Sequence, residues 1–267
     1  MTTEEDPPVL FERRGPVGIV TLNRPKTLNA MSEGVADSLA EFARELDMDE
    51  AARVIIITGN GRGFCSGMDV GTMGTDPNER RKPSMSWPRP RPDQQPIALL
   101  HNLNIPVIGA INGVAAGAGM SLAIGTDIRI ASDQARFVPL FVKRGLQPDF
   151  GGGFVITKIL GAQRALEYFL TGDSISAEQA LEWGLVSRVV PHEELMATAM
   201  ELAERLAKGP PAAMALIKRT VYRAESGTLE QDLEFGSFAQ ERLMRTEDFT
   251  EGWKSFVEKR PPNFTGR

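Results

Sequence analysis

Two short runs of branched apolar residues, each broken by glycines, constrain this chain more than anything else in it. One lies in the stretch from Ile105 to Gly153, which begins IPVIGAINGVAAGAGMSLAIG. Pro106 to Ile111 is short, apolar and β-branched, which predicts a buried strand. Asn112-Gly113 ends it, Gly117, Ala118 and Gly119 follow, and Met120 to Gly125 predicts a short buried helix. A strand, a glycine-rich turn and a helix start together leave free backbone N–H groups at the positive end of a helix dipole. Such an end can hold a phosphate or a developing oxyanion. Upstream, Arg53 to Gly59 (RVIIITG) predicts a second buried strand, running into NGRGFCSGMDV at 60–70. It also ends in small residues before a predicted helix. Two such turns can aim two N–H groups at one oxygen.

The bulk properties narrow the classes. At 267 residues the chain is one large domain or one and a half, with ample length for a core. A net charge of −5 without a dominating basic stretch argues against a nucleic-acid binder. Cys65 is the single cysteine, so an intramolecular disulfide or a cysteine-built metal site is ruled out. The start, MTTEEDPP, lacks the basic-then-apolar order of a targeting peptide, and no apolar run is long enough to span a bilayer. The expectation is a soluble, cytoplasmic enzyme.

Residues 9–22 predict a β-hairpin turning at Arg14-Gly15-Pro16. Ser32 is placed to cap a helix whose apolar positions Val35, Leu39, Phe42 and Leu46 recur at helical spacing. Residues 74–96, rich in proline and arginine, predict a surface excursion or lid without regular structure. A short helix is expected over 96–103, a strand over Asp127–Ala131, helical pattern from Phe154, and a helix capped by Ser176. From 192 onward the pattern is helical, roughly 192–208, 211–224, 228–243 and 247–259. Strands dominate the first two-thirds and helices the last third.

GRGFCSGMDV followed by PVIGAINGVAAGAGMSLAIGTDIRIAS resembles the crotonase (enoyl-CoA hydratase/isomerase) superfamily, as do AEQALEWGLVSRVV near 177–190 and FVEKRPPNFTGR at the end. The resemblance covers almost the whole chain. It implies an α/β fold, a crotonase-like spiral of ββα units over 1–195 that holds the acyl-CoA site. Residues 196–267 are then a helical C-terminal region that packs on neighbouring subunits, as a homotrimer or a dimer of trimers. It implies an acyl-CoA thioester as substrate, CoA being part of that substrate, with no separate cofactor and no metal. The thioester oxygen would sit between the amides of Met68, just after Ser66-Gly67, and Ala118, between Gly117 and Gly119. An enolate formed there is the intermediate the superfamily shares.

The same resemblance exposes a departure. Hydratases of the superfamily use two glutamates; Ser121 and Phe141 occupy those places here, and neither is a carboxylate base. What remains is Asp149, in GLQPDFGGG, at or beside a position where several superfamily isomerases carry an acid. Desolvation among Pro148, Phe150 and Phe141 would raise its pKa toward a useful range. One carboxylate suffices to move a proton from Cα to Cγ, whereas adding water usually wants two groups. The competing reading is that Asp149 merely caps a helix starting near Gly151. For CoA, the resemblance points to Lys26, Leu28, Met68 and Val70, and to Phe256 and Lys259 reaching a neighbour's ligand. Arg80, Arg81, Lys82, Arg89 and Arg91 of the lid are candidates for the CoA phosphates. Isomerisation is the favoured reaction. Hydration by descent, thioester hydrolysis, decarboxylation and a non-catalytic acyl-CoA-binding protein stay open. His101 and His192 lie far in sequence from any cysteine or aspartate pattern and read as structural.

Overall fold

Val9–Arg14 (β1) and Val17–Leu22 (β2) pair antiparallel across Gly15-Pro16, as the hairpin pattern predicts. This is a computed structural model, and it describes residues 7–49, 51–69, 71 and 96–267. Val70, the lid arginines and Lys82 lie outside the described residues.

From β2 the chain builds one sheet in steps. Val54–Gly59 (β3), Val107–Ile111 (β5), Ile128–Ser132 (β7) and Arg188–Val190 (β10) add to it in parallel, giving the order β1-β2-β3-β5-β7-β10. A parallel sheet covered on both faces needs strands apolar throughout. Accordingly Ile55 and Ile57 of β3 join one core, while Val54 and Ile56 join the other. The second core is closed by Leu195–Ala207 (α6), whose Leu195, Ala199, Leu202 and Ala203 recur at helical spacing and are buried. Truncating Ile56 to alanine would remove buried volume worth about 2–5 kcal/mol.

The turn regions hold strands that the sequence reading left out. Gly63–Cys65 (β4), Val114–Ala116 (β6), Arg136–Val138 (β8) and Ile175–Ser176 (β9) form a second, four-stranded sheet in that order. At three residues or fewer, they are too short for periodicity to register. β3, β5 and β7 of the large sheet are thus each followed by a strand of the small sheet and then, after β5-β6 and β7-β8, by a helix. These helices are Ala118–Ile124 (α3) and Gly152–Thr171 (α4). This is the ββα succession implied by the resemblance.

The remaining helices follow the expected pattern. Glu33–Met48 (α1) starts on Ser32, whose Oγ accepts from the Val35 N–H at 3.4 Å. Pro96–Asn102 (α2) precedes β5, and Ala177–Glu182 (α5) starts on Ser176. Pro211–Ala224 (α7), Leu229–Leu243 (α8) and Glu247–Glu258 (α9) make the helical last third. One departure is a kink: α4 breaks at Gly161, whose φ of 73° is left-handed. Among the described residues, no helix is long and apolar enough to cross a membrane.

Candidate active site

The two glycine-bounded turns meet. After β4, the Ser66 N–H donates to the Leu28 carbonyl and its Oγ donates to the Thr27 carbonyl, both at 2.9 Å. Gly67 follows at φ 93°, and a Cβ there would lie 2.8 Å from the Ala116 carbonyl oxygen and 3.6 Å from the Ala118 nitrogen. Only glycine meets both the backbone angle and that approach. Met31 bridges this strand end: its N–H donates to Gly67 at 2.7 Å and its carbonyl accepts from Asp69 at 3.0 Å. The bridge uses groups of residues 67 and 69, so the N–H of Met68 between them takes no part in it. On the other side Gly117, at φ 50°, is the N-cap of α3, and Ala118 opens the helix. The Ala118 N–H is therefore one of the first-turn donors without an acceptor inside the helix. Gly119 packs so closely on β4 that a Cβ would fall 2.2 Å from the Cys65 carbonyl oxygen. The sequence thus brings the Met68 and Ala118 backbones together on adjacent segments.

One turn along α3 from Ala118 stands Ser121, fully buried, on the same face of the helix. Its Oγ donates to the main-chain carbonyl of Asp149 at 3.0 Å. That carbonyl also accepts from the Gly152 N–H at 2.9 Å. Beyond it, Phe150 (φ 49°) and Gly151 (φ 78°) are consecutive left-handed residues. The cap of α4 is Gly151, with no side-chain hydrogen bond. The reading of Asp149 as a helix cap is thereby corrected. Two left-handed residues carry the chain away before the helix begins, so its carboxylate does not reach the first-turn amides. Instead Oδ1 of Asp149 is buried without a hydrogen-bond partner. Burial pushes the carboxyl above the ordinary aspartate range. Phe141 is buried nearby, its ring 6.4 Å from that of Phe169 and within reach of Gly117.

The other predicted residues divide. Lys26 is exposed on the short 3-10 turn Pro25–Thr27, and Leu28 follows with φ 53°. The loop carrying them is fixed by residues that sequence reasoning passed over. Asn29, buried and at φ 58°, donates to Gly63 at 2.7 Å and to Asn60 at 3.0 Å. Arg24 pairs with Asp69 at 2.7 Å and donates to the Ala30 carbonyl at 2.8 Å. The Asn-Arg-Pro signal of a turn was visible, but not its partner strand. Phe256 and Lys259 are exposed at the end of α9. Phe256 borders an apolar groove of about 540 Å³ lined also by Leu243, Phe249 and Trp253, to which neither the two turns nor the Asp149 loop contributes. Within one chain they do not join the site.

His192 and His101 each have a partner that their positions in the sequence hide. The Ser132 hydroxyl lies 3.1 Å from His192 Nδ1, and the His101 ring stacks on Tyr222 at 4.2 Å. No group of three or more His, Cys, Asp or Glu among the described residues is arranged to hold a metal ion. Burial drives the Cys65 thiol up to about 11, so at neutral pH it is a protonated core residue.

This fold and these turns define a class. Residues 12–267 match the enoyl-CoA hydratase/isomerase family, and the chain belongs to it. It is 41% identical to a 1,2-epoxyphenylacetyl-CoA isomerase of Escherichia coli K12, covering 93% of this chain and 94% of that one. It is 34% identical to a probable enoyl-CoA hydratase of Rhodobacter capsulatus, over 97% and 98%. An enoyl-CoA hydratase structure from Bacillus anthracis superposes with a TM-score of 0.89 at 30% identity, covering 97% of this chain and 100% of that chain. The α/β spiral with a helical C-terminal region is the crotonase fold.

Proposed function

We propose that this enzyme isomerises acyl-CoA thioesters through an enolate, with Asp149 as the single proton carrier. In the proposed step the Asp149 carboxylate removes a proton from Cα, and the C–H electron pair moves onto the thioester oxygen. The amides of Met68 and Ala118 receive that oxygen. The neutral carboxyl then returns its proton at Cγ as the enolate collapses, shifting the double bond by one position. Atoms and electrons balance with no further reagent. A preorganised donor pair of this kind is worth about 3–4 kcal/mol per donor in the transition state.

One observation carries the reading: a buried carboxylate oxygen with no hydrogen-bond partner. A carboxylate kept unsatisfied at such a cost persists when it is needed by something that binds. The places where hydratases carry glutamates hold Ser121 and Phe141, and the Ser121 hydroxyl is already engaged. The relative named for 1,2-epoxyphenylacetyl-CoA favours an isomerase and makes an arylacetyl ring epoxide a substrate class to include. Lys26 and Leu28 are the proposed CoA contacts of the chain itself. Phe256 and Lys259 are the proposed contacts to a neighbour's CoA in a trimer or dimer of trimers.

The test is mass spectrometry of 2-enoyl-, 3-enoyl- and epoxide-bearing acyl-CoA panels incubated with the enzyme in D2O. Deuterium uptake with interconversion of isomers and no added water is expected. A product heavier by one water would replace the reading with hydration. Binding without any turnover would favour an acyl-CoA-binding protein.

A further inference from the structure

The Ser121 hydroxyl reaches neither of the two turns; it grips the main chain of Asp149 at 3.0 Å. The gripped segment needs such a hold. Phe150 at φ 49° is a bulky residue in the left-handed region, followed at once by Gly151 at φ 78°. A non-glycine residue there is strained and persists only where its surroundings over-determine it. Two contacts do so. Ile97 of α2 stands 3.3 Å from where a Gly151 Cβ would be, and Ser121 stands against Gly152. A Cβ on Gly152 would fall 2.3 Å from Ser121 Oγ and 3.2 Å from Ser121 Cβ. Ser121 therefore stands where any side chain on residue 152 would have to go.

We propose that Ser121 is the positioning residue of the reaction. By holding the Asp149 carbonyl it fixes where the Asp149 carboxylate stands, and its contact with Gly152 leaves no room for a side chain at residue 152 that would push the two apart. This rests on the reading of Asp149 as proton carrier. Ser121 itself touches no reacting atom, so its removal shows in turnover and not in binding.

The experiment compares Ser121→Ala, Gly152→Ala, Asp149→Asn and the double variant Ser121→Ala/Asp149→Asn in the full chain, with 3-hexenoyl-CoA as substrate. Misplacing a catalytic group by an ångström costs about 10²-fold, so Ser121→Ala is expected to lose about that factor in kcat with KM within about two-fold. Gly152→Ala keeps the hydroxyl but displaces it, and the same loss confined to kcat is expected. It decides the matter if Ser121→Ala does not fold. The double variant should be no slower than Asp149→Asn alone, because both changes act through one group. Normal kcat in the foldable variants, or a double variant slower by the full Ser121→Ala factor, overturns the proposal. Full activity of Asp149→Asn overturns the Asp149 reading beneath it. Failure of the unaltered enzyme to isomerise 3-hexenoyl-CoA overturns the double-bond shift on which both readings rest.

Discussion

Two partly buried aspartates stand on the same scaffold in opposite circumstances. Asp127, just before β7, is saturated. Its Oδ2 accepts from the Val107 N–H at 2.7 Å and pairs with Lys218 Nζ at 2.8 Å, and its Oδ1 accepts from the Tyr222 hydroxyl at 2.5 Å. Lys218 also donates to the carbonyls of Leu100 and Ile105. Burial lowers the Lys218 pKa, and it raises that of Tyr222. Asp149 has its main-chain carbonyl engaged by Ser121, and its Oδ1 has no hydrogen-bond partner. The first carboxylate ties the helical C-terminal region to the sheet. The second is held in place by its backbone so that its side chain stays free for something else. The matched carboxylate of Asp127 is architecture; the unmatched oxygen of Asp149, on a loop held against α3 beside the two turns, is the one the proposed chemistry uses.

The contrast can be broken at either end. The largest effect expected is on turnover: Asp149→Asn should reduce kcat by about 10²–10⁴-fold, the usual worth of a general base, with CoA-ester affinity preserved. Steady-state kinetics beside equilibrium binding checks this. Asp127→Asn should cost about 3–5 kcal/mol of stability, because Lys218 is left buried against a neutral partner. Urea unfolding reads the cost, and kcat of the folded fraction should stay near wild type. Tyr222→Phe removes one hydrogen bond to a charged group and should cost about 1.5–3 kcal/mol by the same measurement, again without a catalytic defect.

The smallest effect has the opposite sign. Because burial raises the folded-state pKa of Asp149, its stability contribution is full below the unfolded value of about 4 and is lost as pH rises through the folded value. Ionised Asp149 is therefore a liability at neutral pH. Asp149→Asn should raise Tm by about 2 °C at pH 7, and that advantage should vanish in acid. A matching change at Asp127 can only lower it.

The sequence made these two aspartates hard to tell apart. Asp149 precedes a helix, and a cap and a proton carrier both call for an aspartate there. The left-handed Phe150–Gly151 pair, which decides between them, leaves little mark on a sequence, since phenylalanine seldom adopts that conformation. Asp127 read as part of a strand, because Lys218 and Tyr222 come to it from a distant helix. By contrast the branched runs 54–58 and 107–111, the Ser32 cap and the glycine turns were legible, each being a local rule satisfied locally. The small sheet was not, since β4, β6 and β8 owe their strand character to pairing with one another. Ser121 was recognised by the carboxylate it lacks; its actual partner is a main-chain carbonyl, which no side-chain pattern announces.

The pH dependence of kcat/KM, measured on the acid side for wild type and Asp149→Asn with one substrate, tests the central claim most directly. The account predicts a single acid limb in wild type, with its midpoint above the ordinary aspartate value of about 4, because Asp149 must be ionised to accept the proton. In Asp149→Asn the residual activity should show no such limb. The same limb persisting in Asp149→Asn would mean that another group moves the proton, and the contrast drawn between Asp127 and Asp149 would not be one of function.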